Sequence, residues 1–404
     1  MGDLDKKVSF VVKFATALHK YGATAQSLEG ALANIMRTLA LDGQFFATPT
    51  LVLASFHTED GEKHSVTRLK PGVVDIEKIS ELDLLGDMVI EKQISIDDAL
   101  ISLENITKKS NRYPKSLELL AYGLISAAVS VFFSASIEEI LISLFLGLII
   151  GFFAVTIGYK QRTSTFLEFF AGFFATFTAA FIYKFFFQFS VEIVTIASLI
   201  VFIPGLTLTI SMTELATENL ASGTARFFQA ILIFLKLAFG VFLGTKIATA
   251  AFGKIVLEDF RLSSVPEFYE VPALIVAVIS LMILFRAKPR DLKWMMLAGF
   301  ISFYSAKFGS HLLGLDFGAF LGSFLVGLTS NLFARFRKRP AAIMFMPGLL
   351  LLVPGSIGFK GLAFLAEKQT IAGIDATFQM FIIAIALVAG LLLANIIVVS
   401  KRNL

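Results

Sequence analysis

Apolar and polar positions alternate in two different regimes along the chain. Over the first 112 residues apolar side chains recur at three- and four-residue spacing, Val11, Ala15 and Leu18 within 8–21 and Leu28, Leu32, Ile35 and Leu39 within 24–41. That period predicts two amphipathic helices, parted by Gly22. "TLVLASF" and "HSVTRLK" flank the polar turn "HTEDGEK" and read as a β-hairpin, while Ser95 followed three residues later by Asp98 resembles a capping box opening a helix to about Lys109. No apolar run here reaches transmembrane length, so residues 1–112 are expected to form a small α+β domain.

From Tyr113 onward the apolar positions become nearly continuous. Ten membrane segments are predicted, at 117–135, 137–158, 165–187, 193–212, 224–250, 271–286, 292–312, 315–335, 341–360 and 371–399. The expected fold is therefore an all-α polytopic membrane protein carrying its α+β domain at the N-terminus. A 56% hydrophobic composition with 16% charged residues and a mean hydropathy of +0.79 excludes a soluble globular chain.

Charge placement adds orientation. Lys108, Lys109, Arg112 and Lys115 precede the first segment; Lys160 and Arg162 follow the second and Arg226 the fourth. Arg286, Lys288, Arg290 and Lys293 follow the sixth, Arg335, Arg337, Lys338 and Arg339 the eighth, and Lys401 and Arg402 the last. All of these fall on one side, which the positive-inside tendency makes cytoplasmic together with both termini; the mixed stretch "FGKIVLEDFRL" runs against the scheme. The N-terminus lacks the charge and apolar pattern of a cleavable signal peptide, and the expected location is the cytoplasmic (inner) membrane. A net charge of +4 spread over segment ends gives no nucleic-acid face, and zero cysteines exclude disulfides and thiolate sites.

A repeat organises the membrane region. Displaced by 150 residues, 204–247 aligns with 354–397 without a gap and with 12 of 44 positions identical, among them Pro204/Pro354, Gly205/Gly355, Gly223/Gly373, Gln229/Gln379 and Gly240/Gly390. The offset divides the chain into 113–262 and 263–404, each with five segments. Five is odd, so the halves would cross in opposite senses, as two inverted five-helix repeats. Each Pro-Gly pair would interrupt its helix and free backbone groups at membrane depth, which is tolerated where they face protein or water. Either packing kinks or a central substrate site would use such a pair.

The polar run "LTLTISMTELATEN" after the first break makes Thr209 and Glu214 candidates for a cavity lining, and Ser356 lies beside the second break. Lys236 stands midway along an apolar segment and requires a partner, with Glu168 nearest in prospect and Glu214 second. Gln229 and Gln379 are matched amides that would either bind a small polar solute or bridge helices. His19, His57, His64 and His311 have no ligand spacing, so no metal and no cofactor is expected. The absence of a Walker A loop, a G-x-S-x-G elbow or an H-E-x-x-H motif points away from a primary pump and from any enzyme.

"HKYGATAQSLE", "IPGLTLTISMTELATENLASGTARFFQA" and "FMPGLLLLVPGSIGF" resemble the threonine/serine exporter family over nearly the whole chain. The resemblance implies a ten-span inner-membrane exporter of small hydroxylated amino acids, driven by the proton gradient; two-subunit relatives are linked to dicarboxylate export. The matching positions are Gly22, Glu29, Pro204, Gly205, Gly223, Arg226, Gly240, Pro354 and Gly355, while Ile210 and Glu214 stand where the family often has Asn and Asp. The expected partners are a small polar metabolite, protons and membrane lipid, with homo-oligomers compatible and nucleic acid excluded. Substrate would be held by Pro204, Gly205, Thr209, Glu214, Gln229, Pro354, Gly355, Ser356 and Gln379, and protons coupled through Glu168, Glu214 and Lys236. A ligand-gated channel is the reading from another class.

Overall fold

The structure is a computed structural model and describes residues 2–58, 61–69, 72, 74–158, 164–253, 264–352, 355–366 and 369–398. Pro354, Lys160, Arg162, Lys401, Arg402 and nearly all of the mixed "FGKIVLEDFRL" stretch lie outside them.

Both predicted N-terminal helices form, α1 (Asp3–Lys20) and α2 (Ala25–Leu39), the second capped by Thr24, whose hydroxyl accepts the Ser27 amide. Val11, Ala15, Leu18, Leu28, Leu32 and Ile35 are all buried, as the period requires. The hairpin is one half of a three-stranded antiparallel meander, β1 (Asp42–Thr48), β2 (Leu51–Thr58) and β3 (Gly61–Arg68), in register with Ala47 opposite Val52 and Phe56 opposite Lys63. Val52, Ala54 and Phe56 alternate inward against the helices. Ser95 caps α4 (Ile96–Lys108) by accepting the Asp98 amide, and its hydroxyl donates to the Asp98 carboxylate.

One helix escaped the periodicity, α3 (Ile76–Ile90). It is covered on two sides: Ile79, Leu82, Leu85 and Val89 enter the core of the N-terminal domain, while Ile76 packs among the membrane helices and Glu77 beside it is also buried. A helix with buried charge on one face and buried leucine on another shows no clean apolar stripe.

Among the described residues eight helices are long and apolar enough to cross a membrane. They are α5 (Lys115–Phe132), α6 (Ile137–Ile157), α7 (Leu167–Phe185), α10 (Leu220–Phe252), α11 (Glu270–Leu284) with its preceding turn, α13 (Leu315–Arg337), the pair α14 (Ala342–Leu350) and α15 (Gly355–Ala366), and α16 (Thr370–Ile397). Of the ten predicted segments, the fourth is split into α8 (Val191–Leu199) and α9 (Gly205–Ala216), each too short to span. The seventh is α12 (Leu292–Leu313), which has the length and falls outside the eight on composition.

Element boundaries repeat at the offset seen in sequence: Gly205 and Gly355 open α9 and α15, Ala216 and Ala366 close them, and Leu220 and Thr370 open α10 and α16. The packing repeats as well, α7 against α10 and α13 against α16. A Cβ on Gly172 would stand 2.5 Å from the Leu237 carbonyl oxygen, and one on Gly240 would overlap the Phe169 carbonyl; Gly390 meets the Phe320 carbonyl in the same way. Backbones in contact at these glycines gain dispersion where apolar burial gives helices no net drive to associate.

Candidate functional site

Two interrupted helices meet where both are interrupted. In the first, α8 ends at Leu199, the chain turns through Ile200–Ile203, and Pro204 takes the N-cap position of α9 at φ −80°, ψ 40°. Proline supplies no amide to continue the ladder. The Pro204 carbonyl accepts the Leu208 amide, and the amides of Leu206 and Thr207 have no backbone partner among the described residues, as in any first helical turn. In the second, α14 carries Pro347 within it and α15 restarts at Gly355. A Cβ on Gly355 would lie 2.5 Å from Ile203 Cγ2 and 3.4 Å from Gly205 Cα. The N-termini of α9 and α15 thus converge on one point, and each brings a positive dipole end.

The hydroxyls beyond the first break serve their own helix. Thr209, fully buried, donates to the Gly205 carbonyl at 3.2 Å, Ser211 to Leu208 at 2.6 Å and Thr213 to Thr209 at 2.9 Å. Pro204 and Gly205 are buried at the break, and Ser356 is half-buried in the first turn of α15. Gln229 is half-buried beside Phe228, which is 64% exposed; Gln379 is exposed beside Phe378 at 65%.

Lys236 has a partner. Its Nζ lies 3.7 Å from Glu168 Oε2 across the α7–α10 seam, with both side chains mostly covered. A second pair of the same kind, Lys360 Nζ to Glu192 Oε1 at 3.0 Å, ties α15 to the start of α8. Lys360 interrupts an apolar segment much as Lys236 does, so the signal was in the sequence and was passed over. Lys307 pairs with Glu270 at 2.7 Å.

Glu214 is not a partner of Lys236. It is 2% exposed at the end of α9, where Arg226 Nε sits 3.1 Å from Oε2, the Ser222 hydroxyl donates to Oε2 at 2.8 Å, and the Ala25 amide donates to Oε1 at 3.2 Å. Ala25 opens α2, so the first turn of an N-terminal-domain helix closes over the end of the broken helix. Two further titratable groups face this junction. Burial and the Glu214 charge hold the Glu29 carboxyl above the usual glutamate range. Burial lowers His19, which bonds the Thr48 carbonyl at 2.7 Å; Arg226 lowers it further. Glu218, in the turn after α9, is exposed at φ 63°.

Ion pairs and hydrogen bonds complete the junction. Within the domain Glu77 accepts from Lys109 at 2.6 Å and from Arg112 at 2.5 and 2.7 Å; across the seam Glu81 accepts from Lys288 at 2.8 Å and Arg286, itself 3.6 Å from Glu118, approaches Asp75 at 3.8 Å. The Ile76 amide and the Tyr113 hydroxyl donate across the seam to the Phe285 and Ala287 carbonyls. The basic ends of α5, α10 and α11 and the N-terminal domain therefore share one side.

Paired broken helices in a bundle of long apolar ones, with charge pairs buried between them, define a multi-pass membrane protein. The chain belongs to the threonine/serine exporter family: one threonine/serine exporter family model matches residues 9–248 and a second matches 270–397. It is similar to pheromone-regulated membrane protein 10 of Debaryomyces hansenii, 28% identical over 94% of this chain and 38% of the relative. The like-named protein of Pichia sorbitophila is 27% identical over the same shares, and that of Saccharomyces cerevisiae 28% identical over 93% of this chain and 50% of its own. The chain thus spans between about a third and a half of the length of these relatives. No solved structure matches it.

Proposed function

We propose that the chain is a proton-coupled secondary exporter of small hydroxylated amino acids, threonine and serine, in the cytoplasmic membrane with both termini cytoplasmic. Residues 1–112 form its cytoplasmic domain, and 113–262 and 263–404 form two inverted five-span repeats that exchange access to a site between them. The observation that carries this reading is the convergence of the α9 and α15 N-termini at Gly205 and Gly355. Two helix dipole ends receive a carboxylate, and broken helices at the repeat interface are where such transporters bind substrate. Pro204 and Ser356 belong to the walls of that site. Glu168 with Lys236 is a carboxylate whose protonation would release a buried cation, which suits it to coupling; Glu214 instead joins the cytoplasmic domain to α9.

The same convergence favours a second substrate class, a dicarboxylate, because two facing N-termini offer one dipole end to each carboxylate. Purified protein in liposomes loaded with labelled threonine, serine or succinate separates these readings. Saturable efflux stimulated by an imposed pH gradient and abolished by Glu168→Gln supports the proton-coupled exporter. Efflux that ignores the gradient makes it a facilitator or channel, and efflux of none of the three removes the substrate assignment.

A further inference from the structure

Where α3 of the N-terminal domain faces the start of α12 and the end of α13, a cleft of about 320 Å³ opens. Five cations line it, Arg290, Lys293, Arg337, Lys338 and Arg339, around Trp294. Two carboxylates stand against them. Asp291 is 2.5 Å from Arg339 and 3.9 Å from Arg290, and Asp83 lies in the α3 wall. The local balance is three positive charges in excess.

This excess is not the general character of the side on which it lies. Lys109, Arg112, Arg226, Arg286 and Lys288 are all matched by carboxylates of the junction. Among the described residues Lys293, Arg337 and Lys338 meet no carboxylate; Lys293 and Arg337 lie over the Trp294 ring at 5.4 and 5.3 Å. The ring is itself seated on Phe333 at 5.0 Å, so these two cations are held in place over it. Lys338 takes the left-handed conformation at the end of α13, φ 51°, a position glycine fills at less cost. A lysine kept there against that cost adds its ammonium to the cleft. Beside the cations stand exposed apolar side chains, Leu84 at 59% and Phe336 at 76%. Arginine, lysine and indole next to exposed apolar surface is the composition of a membrane–water boundary.

The geometry points to a binding site for a phosphate-bearing anion in this cleft, with the headgroup of an anionic phospholipid as the expected occupant. Guanidinium forks and ammonium groups converging from α12 and α13 match a phosphate's several acceptor oxygens. The α3 wall makes occupancy sensible to the N-terminal domain. The site stands independently of the transport reading.

Trp294 is the only tryptophan of the chain, so its emission reports the cleft directly. The full chain is placed in phosphatidylcholine nanodiscs, and either the fraction of phosphatidylglycerol is raised or inorganic phosphate is added at constant ionic strength. A saturable change in Trp294 emission with phosphatidylglycerol is expected. Each cation contributes about fivefold in affinity, so the triple variant Lys293→Gln, Arg337→Gln, Lys338→Gln should weaken it ~100-fold. A matched triple on the N-terminal domain, Lys6→Gln, Lys7→Gln, Lys13→Gln, should not. A response to phosphate in neutral discs, lost in the cleft triple, supports the same site with a soluble ligand. Should the triple variant fail to fold, Lys338→Gly serves, because glycine suits the left-handed position while removing the charge: about fivefold weaker binding in a fold at least as stable is expected. Silence in both arms, or a cleft triple or Lys338→Gly that binds like the wild type, overturns the proposal.

Discussion

Glu77→Gln tests how α3 is held to the segment that leads out of the N-terminal domain towards α5. Burial pushes this carboxyl up, but the hydrogen bonds from Arg112 and Lys109 outweigh it and bring it down to about 2, from an ordinary 4.5. At about 1.4 kcal/mol per pH unit that difference favours the folded state, with Glu77 ionised and paired, by roughly 3 kcal/mol. Arg112 and Lys109 are themselves partly exposed, 37% and 41%, so screening brings the expected loss at neutral pH to about 2–3 kcal/mol. The sign follows from the lowered value. The stabilisation is complete above about 4.5 and is lost as pH falls towards about 2. Hydrogen exchange of the α3 amides in nanodiscs is the assay, because loss of these pairs loosens the first turn of that helix. Glu77→Gln should speed exchange there about 30- to 150-fold at pH 7, and it should erase the acid limb that wild type shows after correction for intrinsic rates. Exchange within about twofold of wild type at pH 7 would refute the reasoning.

Glu214→Gln leaves the mostly covered Arg226 without its counter-charge and should cost about 3 kcal/mol; a double-mutant cycle with Arg226→Gln, read by thermal unfolding, should return coupling of the same order. Glu29 is held above its ordinary value, so whatever stability it contributes is present at low pH and lost as pH rises through the folded value; Glu29→Gln should therefore stabilise at neutral pH, with the gain vanishing below about 4.5. Lys236→Met should destabilise more than Lys236→Met combined with Glu168→Gln, since the single change strands a mostly covered carboxylate; equal melting temperatures would dissolve the pair. Gly240→Ala pushes a methyl into the Phe169 carbonyl and should cost about 1–3 kcal/mol, visible as a lower melting temperature in detergent.

What could be read locally was read correctly where one face of an element decides its partners. Val11 through Ile35 point inward because a helix with a single covered face writes its period into the chain. The restart of helices at Gly205 and Gly355 follows from proline's missing donor, a property of one residue. The mid-segment Lys236 announced a counter-charge because an unpaired ammonium in hydrocarbon is too costly to keep. α3 was missed for the converse reason, since covering both of its sides removes the stripe that would reveal it. β1 was missed because only three strands together, packed on helices, make a short polar strand persist.

Which groups meet across long sequence distances was decided by tertiary structure alone. Glu214 reads as a cavity residue from the hydroxyls around it, yet its carboxylate is taken by an amide 189 residues away and by Arg226. Gln229 and Gln379 match in the repeat yet differ in burial, the first half-buried and the second exposed, because equivalence under a repeat preserves the face of a helix without saying what that face touches. Most helices, the two breaks in them and the need of Lys236 for a partner follow from the period, the backbone or the solvation of single residues. That the two breaks touch, that a helix of the N-terminal domain closes over one broken helix and that three cations meet no carboxylate among the described residues of one cleft depends on how helices pack, and no local property of the chain encodes it.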